Sequence, residues 1–303
     1  SGVEAARRAS WVAWAKQAWA ASPGRLYSWC RGEKSPSVVA TRSPDGDWLM
    51  SPDAVVGEAE RQWRALWAPP EEGRPAAALP FHELPGFPPL SGGALRAVVM
   101  RMSAHKAPGL DSWTVGELRG LPCEAFDDLA RVLEQIEREG EWPDGLWGAV
   151  VALLPKKGDP SPLEQRPISL LPLVYRVWAA ARGDLLRGWF AEQGHPSAWG
   201  QGAGRGADTA AWMAAVQAEV ARAAGQDCFA AYIDCEKCYD RVDLGRLAAE
   251  GSLHGLGRLV RLAARQYRGT RYVRWAGAIS RGVVPIAGIP AGCPLANGML
   301  HLY

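Results

Sequence analysis

Cysteine is scarce in this chain, with six residues among 303. Six cysteines are too few for a small secreted disulfide framework, and such low usage is typical of a reducing compartment. We therefore expect an intracellular protein, nuclear or cytoplasmic. Lysine is also rare, with six residues against 28 arginines, which reflects coding bias as readily as chemistry.

A secretory signal and a membrane-spanning run are both absent from the sequence. The longest run without a charged residue covers 282–303, but three prolines and four glycines interrupt it. This pattern favours a strand, a turn and the start of a helix over a lipid-spanning helix, so we expect no membrane partner. The chain begins without methionine and stops at Tyr303, which we interpret as a segment of a longer protein.

Acidic residues are missing from the end of the chain. Residues 251–303 carry seven arginines and no aspartate or glutamate. An all-positive stretch is typical of a surface that meets phosphates, although a solvated basic face would give the same pattern. The overall composition, 48% hydrophobic and 22% charged, is that of an ordinary globular chain and excludes wholesale disorder.

The length corresponds to about two domains. We divide the chain into a tryptophan-rich N-terminal region (1–68), a proline-rich linker (69–93) and two further parts (94–225 and 226–303). The linker holds seven prolines and cannot maintain a regular hydrogen-bonded ladder.

The periodicity of apolar residues predicts both helices and strands. Strands separated by helices make the fold α/β or α+β, and we expect α+β. Asp208 is the predicted N-cap of its helix. The predicted helices cover 1–20, 51–67, 95–102, 126–136, 173–193, 208–224 and 256–267, the predicted strands 149–154 and 228–233, and the predicted hairpins 41–50 and 271–286.

The first chemically suggestive segment is the apolar run ending at Ile233, followed by Asp234. A buried strand would deliver this carboxylate to its end, where it can meet a cation, and Mg²⁺ prefers such oxygen ligands. The alternative is structural: Asp234 caps the following helix or pairs with Arg241.

The same segment contains Cys235 and Cys238, which also allow a redox or zinc pair. A structural zinc site needs four ligands, and no second pair or nearby histidine supplies the other two. A redox motif of this spacing normally lies at a helix start in a thioredoxin-like unit. Both interpretations are therefore disfavoured.

Two more segments carry charge or glycine at suggestive places. Leu153–Asp159 ends a predicted strand in a turn with two lysines, and Arg166 follows this turn. Together these cations would suit the binding of a triphosphate. The alternative is that they form an exposed basic turn, which by itself is the simpler interpretation. Gly288–Leu295 contains two glycines that would let the backbone approach a ligand closely, but by itself it is only a turn.

In this order and spacing the segments resemble the reverse transcriptase domain of non-LTR (LINE-type) retrotransposons and, more distantly, group II intron enzymes. Each segment alone is weak evidence for this family, but five segments in the family's order over about residues 95–303 make the resemblance specific. The matching segments are His105–Asp111, Lys156–Leu171, Trp199–Thr209, Asp234–Val242 and Gly288–Leu295.

The resemblance implies a right-hand polymerase, with fingers in 94–225 and a partial palm in 226–303, after a small helical N-terminal region. It implies RNA-directed DNA synthesis from an RNA template, a DNA primer and dNTPs, with two Mg²⁺ ions. It also implies that the N-terminal region is a spacer, and that an endonuclease domain precedes it in the same polyprotein.

By position, the resemblance makes Asp234 the catalytic ligand of both metal ions, with a backbone carbonyl of Ile233 or Cys235 beside it. Tyr239 would lie under the sugar and exclude a 2′-hydroxyl. The incoming nucleotide would be held by further residues: Lys156, Arg166, Ala291 and Gly292.

Four arginines recur at helical spacing near the end of the chain, so one helix face would follow a nucleic-acid backbone. They are Arg258, Arg261, Arg265 and Arg268.

The sequence departs from the family in two ways. Ala291 stands where the family usually has glutamine, which removes an amide from the nucleotide site. The catalytic Asp-Asp hairpin of the family does not occur before Tyr303, so we expect residues 1–303 alone to be inactive. Two alternatives stay open: a non-catalytic RNA-binding scaffold on the same fold, and an α/β module unrelated to nucleic acid.

Overall fold

The computed structural model describes residues 2–21, 39–69, 87–155, 161–193, 206–231 and 233–303. The chain forms two compact units, residues 1–39 and residues 40–303. The described part of the first unit is helix α1 (Gly2–Ala21), followed by Val39. The domain division given above stays a prediction.

The second unit mixes helices with two small sheets and is an α+β fold. Its helices are α2 (Pro52–Trp67), α3 (Gly92–Arg101), α4 (Val115–Arg119), α5 (Cys123–Glu139), α6 (Leu173–Gln193), α7 (Ala207–Ala223), α8 (Leu244–Leu253), α9 (Gly257–Tyr267) and α10 (Ala296–Leu302). Its strands are β1 (Thr41–Arg42), β2 (Trp48–Leu49), β3 (Ala149–Leu154), β4 (Arg166–Leu170), β5 (Arg271–Trp275) and β6 (Ala278–Ile279).

Local capping chemistry sets several helix ends. The Ser51 hydroxyl accepts a hydrogen bond from the backbone N–H of Ala54, and Pro52 occupies the first turn of α2, where its missing N–H costs nothing. Gly140 ends α5 in the left-handed conformation with φ of 76°, which glycine adopts without strain.

The larger sheet has the strand order β4-β3-β5-β6. Strand β3 pairs antiparallel with β4 and parallel with β5, and β5 turns back antiparallel into β6. Helix α2 packs against β5 and β6. Because β4 is an edge strand, it tolerates Pro167, which lies opposite Leu153.

The hydrophobic core is formed largely by helices α3, α5, α6, α8 and α9, with α10 closing it. Trp178 is fully buried there, and Trp142 packs edge-on against it with ring centroids 5.2 Å apart. Inside this core Glu137 accepts hydrogen bonds from the Trp178 indole and from the Arg182 guanidinium. A buried charge is thus paired and hydrogen-bonded, as burial requires.

Many of the predicted elements are confirmed. Strand β3 and helix α6 have the predicted bounds, and α1, α2, α7 and α9 differ by one or two residues from prediction. The hairpins at 41–50 and 271–286 also form. Among the described residues, no helix is long and apolar enough to span a membrane.

The predicted strand at 228–233 is wrong. Residues 228–231 and 233 are not in a strand, and the side chains of Phe229 and Ile233 are 92% and 90% exposed. An apolar run becomes a strand only where a neighbouring strand pairs with it, and both positions beside β3 are taken by β4 and β5.

The predicted cap of α7 is also wrong. Gly206 is the N-cap, without a side-chain hydrogen bond, and Asp208 lies inside the first turn. An acidic side chain is favourable at either place, because both lie at the positive end of the helix dipole. Among the described residues, sequence periodicity also missed α4, β4 and α8.

Candidate functional site

Asp234 lies on an exposed coil rather than at the end of a buried strand. Burial, then the nearby Cys235 thiol, and finally Asp234 raise the pKa of Cys238 above its usual value. The two structural roles considered for Asp234, capping the following helix and pairing with Arg241, belong to other residues. Asp243 caps α8, and Arg241 contacts Glu236.

The turn after Asp234 is joined to the segment that precedes β4. The ammonium group of Lys237 donates a hydrogen bond to the backbone carbonyl of Leu163 and lies 5.6 Å from the centre of the Trp63 ring. Lys237 itself has a φ of 52°, an uncommon conformation for a residue with a side chain. The lysine of this motif therefore fixes the turn beside β4.

Asp240 is the second aspartate of the motif and is largely buried against α2. Its Oδ1 accepts a 2.8 Å hydrogen bond from the Trp67 indole. Burial raises the pKa of Asp240, while the Trp67 hydrogen bond and the positive charges of Arg271 and Lys237 oppose that rise.

Arg271 is the cation of this buried group. Its guanidinium lies 4.9 Å from the Trp67 ring centre and donates hydrogen bonds to the carbonyls of Tyr267 and Gly288. Burial lowers the pKa of Arg271 to about 10, against the opposing charge of Asp240. Asp240 and Arg271 are thus structural partners within the protein.

Tyr239 contacts both the glycine-rich segment and α10. Its hydroxyl donates a 2.7 Å hydrogen bond to the side-chain oxygen of Asn297, and its carbonyl accepts one of 2.8 Å from the N–H of Ile289. The side chain is half-buried, and this burial raises the pKa of the Tyr239 hydroxyl.

The glycine-rich segment Gly288–Leu295 packs directly against β4. The N–H of Ser169 donates a 2.7 Å hydrogen bond to the carbonyl of Ala291. Gly292 has a φ of 112°, and a Cβ added there would lie 2.9 Å from the carbonyl oxygen of Ser169. Glycine is required at position 292 because the two backbones approach each other too closely for a side chain.

Arg166 lies at the start of β4, opposite Leu154, and its side chain is exposed. Lys156, its predicted partner at the triphosphate, lies outside the described residues. The segment Trp199–Thr209 is described only from Gly206 onward.

The motif His105–Asp111 has a clear structural role. The Asp111 carboxylate accepts hydrogen bonds from the N–H groups of Leu173 and Val174 at the start of α6. Burial raises the pKa of Asp111, and these hydrogen bonds counter the effect. A Cβ on Gly109 would lie 2.4 Å from the Leu171 carbonyl oxygen, so this glycine also allows close packing.

Taken together, three sequence-distant segments meet at β4 and the turn beside it. Lys237 contacts Leu163, Tyr239 contacts Ile289, and Ser169 contacts Ala291. Arg166 lies three residues before Ser169 on the same strand. Asp234, with its exposed carboxylate, and Arg166, with its exposed guanidinium, thus belong to segments that are joined to one another by hydrogen bonds.

The four arginines of the predicted nucleic-acid face lie on α9 and at its C-cap. Arg258 donates a hydrogen bond to the Glu137 carbonyl, and Arg265 forms an ion pair with Glu141. Arg261 is half-buried, and Arg268 is exposed. Burial, together with the nearby charge of Arg268, lowers the pKa of Arg265.

A complete metal site is not present in the described part of the chain, where no three histidine, cysteine, aspartate or glutamate side chains cluster to hold an ion. Asp240 is engaged by Trp67, and Asp243 caps α8 through Arg246. The described residues therefore offer Asp234 as one carboxylate ligand but do not by themselves fit a two-ion centre.

Sequence reasoning missed Trp67, Arg271 and Asn297, which hold the motif segments in place. Trp67 is the last residue of a helix, Arg271 is one of seven arginines near the end of the chain, and Asn297 is a single asparagine. Nothing in the local sequence indicates such roles for them. Only the three-dimensional packing of α2, β5 and α10 against the motif segments reveals them.

The chain is similar to a transposon protein. Over 216 residues the chain is 28% identical to a Xenopus laevis protein described as "Transposon TX1 uncharacterized 149 kDa protein". The match covers 68% of this chain and 16% of that protein, so the chain spans about one sixth of its relative. No protein-family model matches the chain.

Proposed function

We propose that this chain is part of a retrotransposon reverse transcriptase, an RNA-directed DNA polymerase. The observation that carries the proposal is that hydrogen bonds join three motif segments: Lys237 bonds to Leu163 just before β4, Tyr239 to Ile289, and Ala291 to Ser169 of β4. The similarity to a transposon protein supports the same origin. In this proposal residues 94–225 are the fingers and residues 226–303 are part of the palm.

Within that site each side chain has a distinct task. Arg166 binds the triphosphate of the incoming dNTP, since a guanidinium pairs bidentately with phosphate oxygens. Lys156, outside the described residues, assists it. Tyr239, held by Asn297, lies against the sugar and disfavours a 2′-hydroxyl. Ala291 and Gly292 bring the backbone close to the nucleotide.

Asp234 supplies one ligand to Mg²⁺, with a backbone carbonyl of Ile233 or Cys235 beside it. Bound Mg²⁺ supplies charge stabilisation in nucleotidyl transfer. Because the described residues offer one suitable carboxylate, the remaining ligands must come from elsewhere in the protein. The partners are an RNA template and a DNA primer, and an endonuclease domain upstream in the same polyprotein belongs to the proposal.

Primer extension on an RNA template tests the proposal. We expect no extension by residues 1–303, and extension by a chain prolonged in its own reading frame. Asp234→Ala should abolish the activity of the prolonged chain. Asp227→Ala is the matched control, because Asp227 is an exposed carboxylate in the same coil, and it should leave extension unchanged.

The outcomes separate the proposal from its rival. A prolonged chain that binds RNA but extends no primer, with no Asp-Asp pair in the added sequence, identifies a non-catalytic RNA-binding scaffold. Robust extension by residues 1–303 that depends on Asp234 would overturn the expectation that this part alone is inactive. A chain that binds no nucleic acid at any salt concentration contradicts both functions.

A further inference from the structure

A small cavity lies between the loop that leads into β3 and the C-terminal end of α9. Its volume is about 150 Å³, below the range of about 300–1,000 Å³ that is typical of pockets for drug-sized ligands. The cavity therefore has room for one flat ring and not for a whole nucleotide. Its lining residues are Glu141, Trp142, Asp144, Trp147, Arg265 and Arg268.

Hydrogen bonds join the two walls of this cavity. The Trp147 indole donates a 2.9 Å hydrogen bond to the carbonyl of Arg265, and the buried Trp142 indole donates one of 2.9 Å to another carbonyl of α9. The side-chain amide of Gln266 donates a 3.1 Å hydrogen bond back to the carbonyl of Gly148. Because the loop is bonded to α9 at three places, the cavity is preformed and a ligand need not order it.

Trp147 forms the aromatic part of the lining. Its nitrogen edge is fixed by the bond to Arg265, yet its side chain is 44% exposed. An indole that is held at one edge and open to solvent is a suitable surface for stacking a flat ring, and stacking on aromatic side chains is how proteins hold unpaired bases.

The charges around the cavity balance one another. Glu141 forms an ion pair with Arg265, and the exposed side chains of Asp144 and Arg268 add one charge of each sign. This balance favours neither a bare phosphate nor a metal cation. A carboxylate accepts hydrogen bonds from N–H groups, and a guanidinium donates them to phosphate oxygens. The lining therefore fits a ligand with a flat ring, N–H donors and one phosphate.

We propose that this cavity binds an unpaired guanine nucleotide of a single-stranded RNA. The guanine ring stacks on Trp147, the Asp144 carboxylate accepts hydrogen bonds from N1–H and the 2-amino group, and Arg268 binds the adjoining phosphate. Guanine is selected because its Watson–Crick edge carries two adjacent N–H donors. Adenine and cytosine offer a single amino group there, and uracil offers one N–H between two carbonyls.

The inference rests on the proposed function for its ligand, since a protein that copies RNA has unpaired template bases to hold. The cavity adjoins the start of β3, whereas Arg166 pairs with Leu154 at the end of this six-residue strand, about 20 Å away. The cavity is thus a second RNA contact, separate from the candidate site.

Fluorescence anisotropy with labelled RNA tests the inference on the whole 303-residue chain, without any need for polymerase activity. The two probes are an oligouridine with one central guanosine and the same RNA with adenosine at that place. We expect the guanosine RNA to bind about tenfold more tightly, as a base contact with two hydrogen bonds typically gives. Asp144→Asn should remove this preference. Asp45→Asn is the matched control, because Asp45 is an exposed aspartate in the β1–β2 turn, and it should keep the preference.

Variants of Trp147 separate stacking from a structural role of the indole. Trp147→Leu should weaken binding of the guanosine RNA about tenfold or more, because it removes the stacking surface. Trp147→Phe keeps an aromatic ring but loses the hydrogen bond to Arg265, and it should retain most of the binding. Trp48→Leu is the control, since Trp48 is a similarly exposed tryptophan on β2, and it should bind as the wild type does.

Several results would overturn the inference. They are equal binding of the two RNAs by the wild type, equal weakening in Trp147→Phe and Trp147→Leu, and as large a loss in Trp48→Leu as in Trp147→Leu. Displacement of the labelled RNA by GMP as effectively as by unlabelled guanosine RNA would also overturn it, because the ligand would then be a free nucleotide. Guanosine-selective binding by a protein whose prolonged chain extends no primer supports this inference and contradicts the polymerase, so the two proposals fail independently.

Discussion

The indole Nε1 of Trp67 donates a 2.8 Å hydrogen bond to Oδ1 of Asp240, and this bond joins the end of α2 to the motif that follows Asp234. The same indole ring stacks on Trp63 and faces the guanidinium of Arg271. A helix from the tryptophan-rich region therefore holds part of the candidate site in place.

Replacing Trp67 by phenylalanine tests that bond. We expect Trp67→Phe to lower the free energy of unfolding by about 1.5–3 kcal/mol at neutral pH, the value typical of a hydrogen bond to a charged group. Urea unfolding monitored by circular dichroism measures the change.

The effect of Trp67→Phe should depend on pH. Because burial raises the pKa of Asp240 above 3.8, the contribution of this group to stability is present below that value and is lost as the pH rises through its folded pKa. Without the indole the folded pKa rises further, so the variant loses more stability at about pH 7 than at about pH 4. Trp63→Phe is the control, since the Trp63 indole donates to the neutral Pro162 carbonyl. Equal pH dependence in both variants would contradict this account.

Gly292 offers a test of the contact between the glycine-rich segment and β4. Gly292→Ala places a Cβ 2.9 Å from the Ser169 carbonyl oxygen at a φ of 112°. Strain should cost about 1–3 kcal/mol, and crowding should add about as much again. Thermal unfolding of the variant measures the loss.

The matched control for Gly292 is Gly277, in the turn between β5 and β6. Gly277 also has a positive φ, 82°, but an added Cβ meets nothing within 4 Å. Gly277→Ala should therefore show only the strain. Equal stability of the two variants would contradict the close approach of the glycine-rich segment to β4.

The buried Glu137–Arg182 pair should be essential to the helical core. Both side chains are about 95% buried, and Glu137 also accepts a hydrogen bond from the Trp178 indole. Glu137→Ala leaves a buried cation without its partner, which typically costs about 3–5 kcal/mol. Asp184→Ala breaks an exposed pair with Arg187 and should change little. Chemical denaturation of both variants distinguishes the two cases, and a mild effect of Glu137→Ala would contradict the role assigned to it.

How far the sequence predicts the fold depends on whether the signal is local. Strand β3 and helices α2 and α6 follow from local periodicity and capping, and they form where expected. The apolar run at 228–233 has the same local character as β3 but lacks a sheet position, because strand pairing is a non-local property. The resemblance to reverse transcriptases predicts that the segments Lys156–Leu171, Asp234–Val242 and Gly288–Leu295 lie at one site. Hydrogen bonds join these three segments in the structure.

The sequence is least informative about where charged side chains lie in the fold. Seven arginines after Glu250 suggested one basic surface, yet Arg271 is buried beneath Trp67, and Arg258 and Arg265 contact groups of the protein itself. A count of charges does not distinguish an arginine that packs in the interior from one that faces solvent.

Arg268 is the arginine of the α9 group best placed to reach a phosphate, since its side chain is exposed at the end of the helix. If that face binds a nucleic-acid backbone, Arg268→Ala should weaken binding to an RNA–DNA primer–template and lower the salt slope of log K by about 1. Fluorescence anisotropy titrations at several salt concentrations measure both quantities. Arg131→Ala is the control, because Arg131 is equally a surface arginine but lies on α5 beside Asp128. A salt slope that falls equally in both variants indicates diffuse attraction, and an unchanged slope in Arg268→Ala excludes this residue from the interface.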